Sequence, residues 1–312
     1  MVLEQQPLRS AGDLRTAGPW YQRALAIREL VLGPDHPDTA ASLDNMASLL
    51  QDQGELGAAR PLFERALAVR ERHPGPDHAD IAESLNNPAG LLHAQGELEV
   101  ARPHFEHALT ICERALGLDH QGTAVVMNNL AALLRDQGEL VAASALLERV
   151  LAIRERVLGP DHLSTALALH NLGVLLRDQG EMAAARPLSE RALAIRERVL
   201  GPDHPLTAFS LNSLARMLQA QGDLGGARPL LERALAIREQ VLGPDHLHTA
   251  VSLHDLALLF QAQGDPAAAR PLFERALAIR QRVLGQNHPD TVATRCTLAE
   301  LAAEADGSAT DA

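Results

Sequence analysis

The dipeptide Asp-His returns along this chain at a fixed interval: Asp35-His36, Asp77-His78, Asp119-His120, Asp161-His162, Asp203-His204 and Asp245-His246, with Asn287-His288 completing the row. Each step is 42 residues. A glycine row, Gly54, Gly96, Gly138, Gly180, Gly222 and Gly264, keeps the same step, and Gly12 fits it. No insertion or deletion breaks the register. A chain of 312 residues would ordinarily divide into separate cores. Identical short units escape that limit, because each buries its surface against its neighbours.

Within one unit the apolar residues Leu43, Met46, Ala47 and Leu50 recur at helical spacing. Gly54 follows where a helix C-terminus calls for glycine. A second helix is predicted from Glu55 to about Arg72, with Leu56, Ala59, Phe63, Ala66 and Leu67 on one face. Pro61 recurs as Pro19, Pro103, Pro187, Pro229 and Pro271. Proline is tolerated near a helix start, so this helix is expected to begin late or to bend there. The loop Gly-Pro-Asp-His then closes the unit. Each repeat therefore reads helix A, glycine turn, helix B, Pro/Gly loop.

The columns say how the helices meet. One column of helix B is Ala17, Ala59, Ala101, Ala143, Ala185, Ala227 and Ala269, and one of helix A is Ala47, Ala89, Ala131, Gly173, Ala215, Ala257 and Ala299. Small residues in every copy mean that backbones approach closely. Neighbouring columns carry the bulk: Leu50, Leu92, Leu134, Leu176, Leu218 and Phe260, and Tyr21, Phe63, Phe105, Leu147, Leu231 and Phe273, with Ser189 the exception. Large side chains facing small ones are what close packing requires. Aromatics are only 2% of the chain, so the packing is mostly aliphatic.

The small-residue columns, the glycine turn and the aromatic of helix B resemble the tetratricopeptide repeat. That family's usual unit is shorter, and its helix A Trp and Tyr columns are mainly Leu here. The longer unit resembles the kinesin light chain subfamily. The residues behind that likeness are Met127-Asn128-Asn129-Leu130-Ala131 in helix A, Ala-Leu-Ala-Ile-Arg-Glu in helix B (Ala192–Glu197, Ala234–Glu239) and the Gly-Pro-Asp-His-Pro loop. It spans 13–305. The resemblance implies an all-α chain of tandem helix-turn-helix repeats forming a right-handed superhelix, or α-solenoid. The expected organisation is a degenerate segment 1–12, an array 13–305 and a disordered tail 306–312. The array would hold an opening helix B (Asp13–Leu32), six A/B pairs and a closing helix A (Thr291–Ala305). That closing helix is more polar than its peers, through Arg295, Glu300 and Glu304, which suits a solvating cap.

One copy departs from the pattern. Pro88 stands in the column of Met46, Leu130, Leu172, Leu214, Leu256 and Leu298, at mid-helix. Proline there costs about 3 kcal/mol. Drift in a redundant array and a functional hinge are both open at this point. Pro74 replaces the Leu of the usual Val-Leu-Gly ending.

Composition narrows the function. All 28 basic residues are Arg, and with abundant Ala and Gly this points to a GC-rich bacterial genome. Net charge is −12, a poor basis for neutralising phosphates, so no nucleic-acid partner is expected. The start lacks the apolar core of a signal peptide, and no apolar run could span a bilayer. A cytoplasmic protein without a membrane partner is the expectation. Cys112 and Cys296 lie more than four repeats apart, too far for a disulfide. Seven of the 14 His residues are the loop histidines, one per repeat, and read as structural. His104, His107 and Cys112 share a helix, but Cys112 sits about two turns from His104, too far for one tetrahedral metal site. There is no phosphate loop, His-Glu-x-x-His or Cys-x-x-Cys. The recurring charges of Glu-Arg-Ala-Leu-Ala-Ile-Arg-Glu read as a solvated helix face. Neither an enzyme nor a cofactor is expected.

In the resembling family the A helices line a concave groove. Carried onto this chain, with the adjacent Asn column included, that implies a peptide-binding surface of Asn128, Asn129, Arg135, His170, Asn171, Arg177, Phe209, Asn212 and Arg216. Val125, Leu167, Val174, Val251 and Leu258 are its apolar neighbours. Asn can bond a peptide backbone and Arg can pair a carboxylate. Asp136 and Asp178 stand beside Arg135 and Arg177 and could neutralise them. The reading is a protein-interaction scaffold holding a peptide with acidic residues and an apolar anchor. Its rival is a regulatory or sensor module of a STAND-type NTPase or other signalling system. The weakly capped N-terminal end leaves room for self-association.

Overall fold

In a computed structural model of the chain, residues 11–72 and 79–310 are described; residues 1–10, 73–78, 311 and 312 are not, so Pro74 and Asp77-His78 lie outside the description. Fourteen helices and no strand occur among the described residues. Two compact units divide the chain, residues 1–160 and 161–312.

The first unit opens with a lone helix α1 (Ala11–Val31). Three hairpins follow: α2 (Pro37–Asp52) with α3 (Leu56–Glu71), α4 (Ala79–Ala94) with α5 (Leu98–Ala115), and α6 (Gln121–Asp136) with α7 (Leu140–Leu158). The second unit repeats the plan: α8 (Leu163–Asp178) with α9 (Met182–Leu200), α10 (Pro205–Ala220) with α11 (Leu224–Leu242), and α12 (Leu247–Ala262) with α13 (Pro266–Leu284). It closes on α14 (Pro289–Thr310), which runs past Ala305, where the sequence suggested a tail.

The small columns are where the hairpins close. Ala47, Ala59 and Phe63 are fully buried and pack together with Leu91 of the next repeat; Ala257, Ala269 and Phe273 do the same with Leu301. In the odd repeat Gly173 faces Ser189. A Cβ on Gly173 would come within 2.9 Å of Ser189 Oγ and 3.3 Å of the Ala185 carbonyl oxygen. An Ala at this position, as in the other repeats, would crowd Ser189 and the Ala185 backbone.

Both turns depend on positive φ. Gly54 (φ 80°) joins α2 to α3, and Gly159, Gly201 and Gly243 (each φ 95°) end α7, α9 and α11. Helix B does not begin late: α3 starts at Leu56 with Pro61 inside it, and Pro103, Pro187, Pro229 and Pro271 are likewise within their helices. Pro88 also lies within a continuous helix, α4.

Candidate functional site

The loop histidines have a defined task. His36, His120, His162, His204 and His246 are the N-caps of α2, α6, α8, α10 and α12. In each, Nδ1 accepts from the backbone N–H two residues on, at 3.0–3.1 Å, satisfying one of the donors a helix start leaves open. His288 does the same for Asp290 at 3.2 Å. A buried Thr completes the loop: Thr39 donates to the Gly33 carbonyl (2.8 Å), and Thr123, Thr207 and Thr249 donate to Gly117, Gly201 and Gly243. The loop Asp reaches the next repeat, where Arg72, Arg156 and Arg282 pair with Asp35, Asp119 and Asp245 at 2.8–3.1 Å, and Arg198 pairs with Asp161.

One arginine column corrects the sequence reading. In Ala-Ile-Arg-Glu the Arg is not on a solvated face: Arg154 and Arg238 are 3% exposed and Arg196 4%. Arg70 and Arg280 are buried as well. The signal was present in the spacing, since Arg70 lies four residues after Ala66 and next to Val69, both fully buried. Within each unit these guanidiniums bridge to the A helix of the following repeat. Arg196 donates to Ser210 Oγ (2.6 Å), and Arg238 donates to Ser252 Oγ and the His248 carbonyl, both at 2.9 Å. Arg70 bonds Asp44 and Ser84, and Arg280 bonds Thr294. Burial pulls Arg238 down to about 10, partly opposed by Asp255, so it remains charged at neutral pH. Where Cys112 replaces this Arg, Val126 replaces the Ser, and the two share an apolar cluster. Burial and then Glu113 raise the Cys112 thiol above its usual range.

The expected groove residues fall into three groups. Asn128, His170, Asn171 and Asn212 are buried. Asn212 Nδ2 donates to Asp255 Oδ2 at 2.7 Å, and its Oδ1 accepts from Ser252 at 3.2 Å. The His170 ring stands edge-on to Phe209, with centroids 4.7 Å apart. Asn129, Arg135, Arg177 and Phe209 are half-buried. Asn129 donates to Asn86 Oδ1 (3.0 Å), while Arg135 and Arg177 bond the adjacent Asp136 and Asp178 at 2.9 and 2.7 Å. Asp136 also receives His93 Nε2 at 2.8 Å. Burial raises its pKa, but the bonds from His93 and Arg135 outweigh that and hold the carboxyl below its usual range. The third group is Arg216, which is exposed.

In the second unit the open positions of the A helices form two rows. Leu167, Phe209 and Val251 make one; Val174, Arg216 and Leu258 make the other, seven residues further along each helix. That step is two helical turns, so both rows share a face. Helix α10 packs against both α8 and α12, which places the three helices side by side. Among the described residues no cluster of His, Cys, Asp or Glu could hold a metal, and no helix is long and apolar enough to cross a membrane.

Comparison with known proteins agrees with this architecture. The tetratricopeptide repeat model matches in seven overlapping segments: 8–72, 42–101, 80–156, 127–186, 164–240, 214–282 and 261–310. No curated protein matches the chain. Among solved structures, the nearly identical TPR-like repeats of a putative kinesin light chain from Podosopora anserina are 28% identical, with a TM-score of 0.57, covering 67% of this chain and 98% of that one. BtubC (BKLC) from P. vanneervenii is 23% identical, TM-score 0.61, covering 74% and 91%. A tetratricopeptide repeat protein from Parabacteroides merdae is 17% identical, TM-score 0.63, covering 93% of each chain. The chain belongs to the tetratricopeptide repeat family, with kinesin light chain-like proteins among its structural neighbours.

Proposed function

We propose that the protein is a non-catalytic scaffold that binds a peptide segment of a partner protein on the A-helix face of its second unit. Tetratricopeptide repeat proteins generally mediate protein–protein contacts, and this reading gives that role a location. The observation that carries it is the pair of rows on α8, α10 and α12. The partly open apolar side chains Leu167, Phe209, Val251, Val174 and Leu258 surround the exposed cation Arg216. An extended peptide with an apolar anchor and a carboxylate matches that pattern. Its apolar side chain would rest beside Phe209, and its carboxylate would meet Arg216. Arg177 is a weaker contributor, since Asp178 already accepts its guanidinium. In the first unit Arg135, in register with Arg177, and Asn129, in register with Asn171, also have internal partners.

The test begins with capture of a partner by tagged protein and its identification by mass spectrometry. Calorimetric titration then compares Arg216→Glu and Leu258→Asp with Arg270→Glu on helix α13. Arg216→Glu is expected to weaken binding by roughly 2–5 kcal/mol if the ion pair is desolvated, and Leu258→Asp to weaken it too. Arg270→Glu should bind as the parent does. Normal binding by both A-helix variants, with loss in the helix B variant, would reject this surface.

A further inference from the structure

The row of capping histidines has a chemical consequence beyond loop closure. A histidine can accept through Nδ1 only while that nitrogen carries a lone pair. Protonation converts the acceptor into a donor aimed at another donor. It also places positive charge at a helix N-terminus, the end where the macrodipole already disfavours cations. Among the described residues six A helices use this cap, at donor–acceptor distances of 3.0–3.2 Å. Asp, Asn, Ser and Thr cap helices without titrating near neutral pH; histidine does not share that indifference.

We propose that these caps form a proton-operated lock: neutral rings hold the first turns of the A helices, and acidification releases those turns in every repeat that carries the cap.

The surroundings of each ring bear on where release occurs. Arg28, Arg238 and Arg280 donate to the carbonyl oxygens of Asp38, His248 and Asp290, in the same first turns as His36, His246 and His288. Their charge opposes a second cation there. The His248 ring lies 5.3 Å from His246; burial and then Arg238 pull it down to about 4, so it stays uncharged near neutral pH. Asp38 and Asp290 each place a carboxylate oxygen 3.8 Å from Nδ1 of the cap. The loop carboxylates of Asp119 and Asp161, next to His120 and His162, are paired with Arg156 and Arg198. Beside His204, Arg233 donates to the Pro202 carbonyl at 3.0 Å, and Arg196 holds Ser210 on the same helix. Burial lowers the pKa of His204; burial and then Arg238 lower that of His246. A histidine whose folded pKa is depressed contributes stability that is complete above the unfolded value. That contribution is lost as pH falls through the folded one. Acid therefore weakens the lock.

Hydrogen exchange on the full-length chain tests this. After correction for intrinsic rates, first-turn amides of α2, α6, α8, α10, α12 and α14 should lose about fivefold or more protection between about pH 7.5 and 5.5, the value of one N-cap. The glycine turns between A and B helices serve as reference. Replacing His36, His120, His162, His204, His246 and His288 together by Asn keeps a cap that does not titrate. In this variant the first-turn amides of the six helices should keep the same protection at both pH values, while those of the parent lose it in acid. If the sixfold variant does not fold, His204→Asn alone should remove the pH response of α10 and leave that of α12. Equal protection of the parent at both pH values overturns the proposal. So does a variant that keeps the parent's pH response.

Discussion

At the level of single residues, the buried arginines are the side chains whose loss is most readily tested. A guanidinium among alanines and isoleucines is held by bonds across the repeat junction, and removing one partner exposes the cost. Arg196→Met leaves Ser210, 2% exposed, without this donor and should destabilise by ~1–3 kcal/mol. Adding Ser210→Val imitates the Cys112–Val126 junction and should recover most of the loss, a coupling that a double-mutant cycle in urea would measure. Asp44 offers a pH test. Burial, opposed by Arg70, pushes its carboxyl up to about 6. A carboxyl with a raised folded pKa favours folding below its unfolded value, and that contribution disappears as pH rises through the folded one. Asp44→Asn matches the Asn128 and Asn212 columns, so its stability relative to the parent should climb as pH goes from about 4 to about 7. A flat difference across that range would show that Asp44 is not strained by burial.

Helices and turns show where backbone geometry rules. Gly201 ends α9 at φ 95°, ψ 162°, a region essentially restricted to glycine, and its carbonyl accepts from Thr207. Gly201→Ala should cost ~1–3 kcal/mol, although no atom would touch the new methyl. Gly90 lies inside α4 with equally open surroundings and no positive φ. There Gly90→Ala should instead stabilise by ~0.4–1 kcal/mol. The same helix contains Pro88, whose column in other repeats holds Leu130, Leu172, Leu214 and Leu256, each at most 7% exposed, with the partly buried Leu298 in the last copy. Pro88→Leu restores both a backbone donor and the packing, and should add up to about 3 kcal/mol. Hydrogen exchange across residues 81–95 should slow. Unchanged exchange there would mean the proline is fully accommodated.

For the molecule as a whole, the cores are small and local, each formed within a repeat or with its neighbour, so a local change need not unfold the rest. The stabilising devices are the alanine columns, the histidine caps and the arginine bridges, and among the described residues no cluster of His, Cys, Asp or Glu could hold a metal. A chelator should accordingly leave the melting temperature unchanged. A drop on chelation that zinc reverses would reveal a ligand set this reading lacks.

The repeat length, the alternation of two helices and the membership of the family were all legible in the chain. Periodicity is a property of residue order, and helix formation and turn geometry depend on near neighbours. The alanine and leucine columns likewise announced close packing, because a small residue kept in every copy has a steric reason. The spacing placed one Arg column beside buried apolar ones, but what those side chains bond to was not legible. Arg65 and Arg70 belong to the same Glu-Arg-Ala-Leu-Ala-Val-Arg-Glu run, yet Arg65 pairs with Glu29 at the surface while Arg70 is buried against Asp44 and Ser84. The difference lies in which side of helix B meets the next repeat, a matter of packing between elements far apart in sequence. Packing equally separated the expected groove residues into buried Asn128, His170, Asn171 and Asn212 and exposed Arg216. A helical projection assigns a side chain to a face; only neighbouring helices decide whether that face is covered.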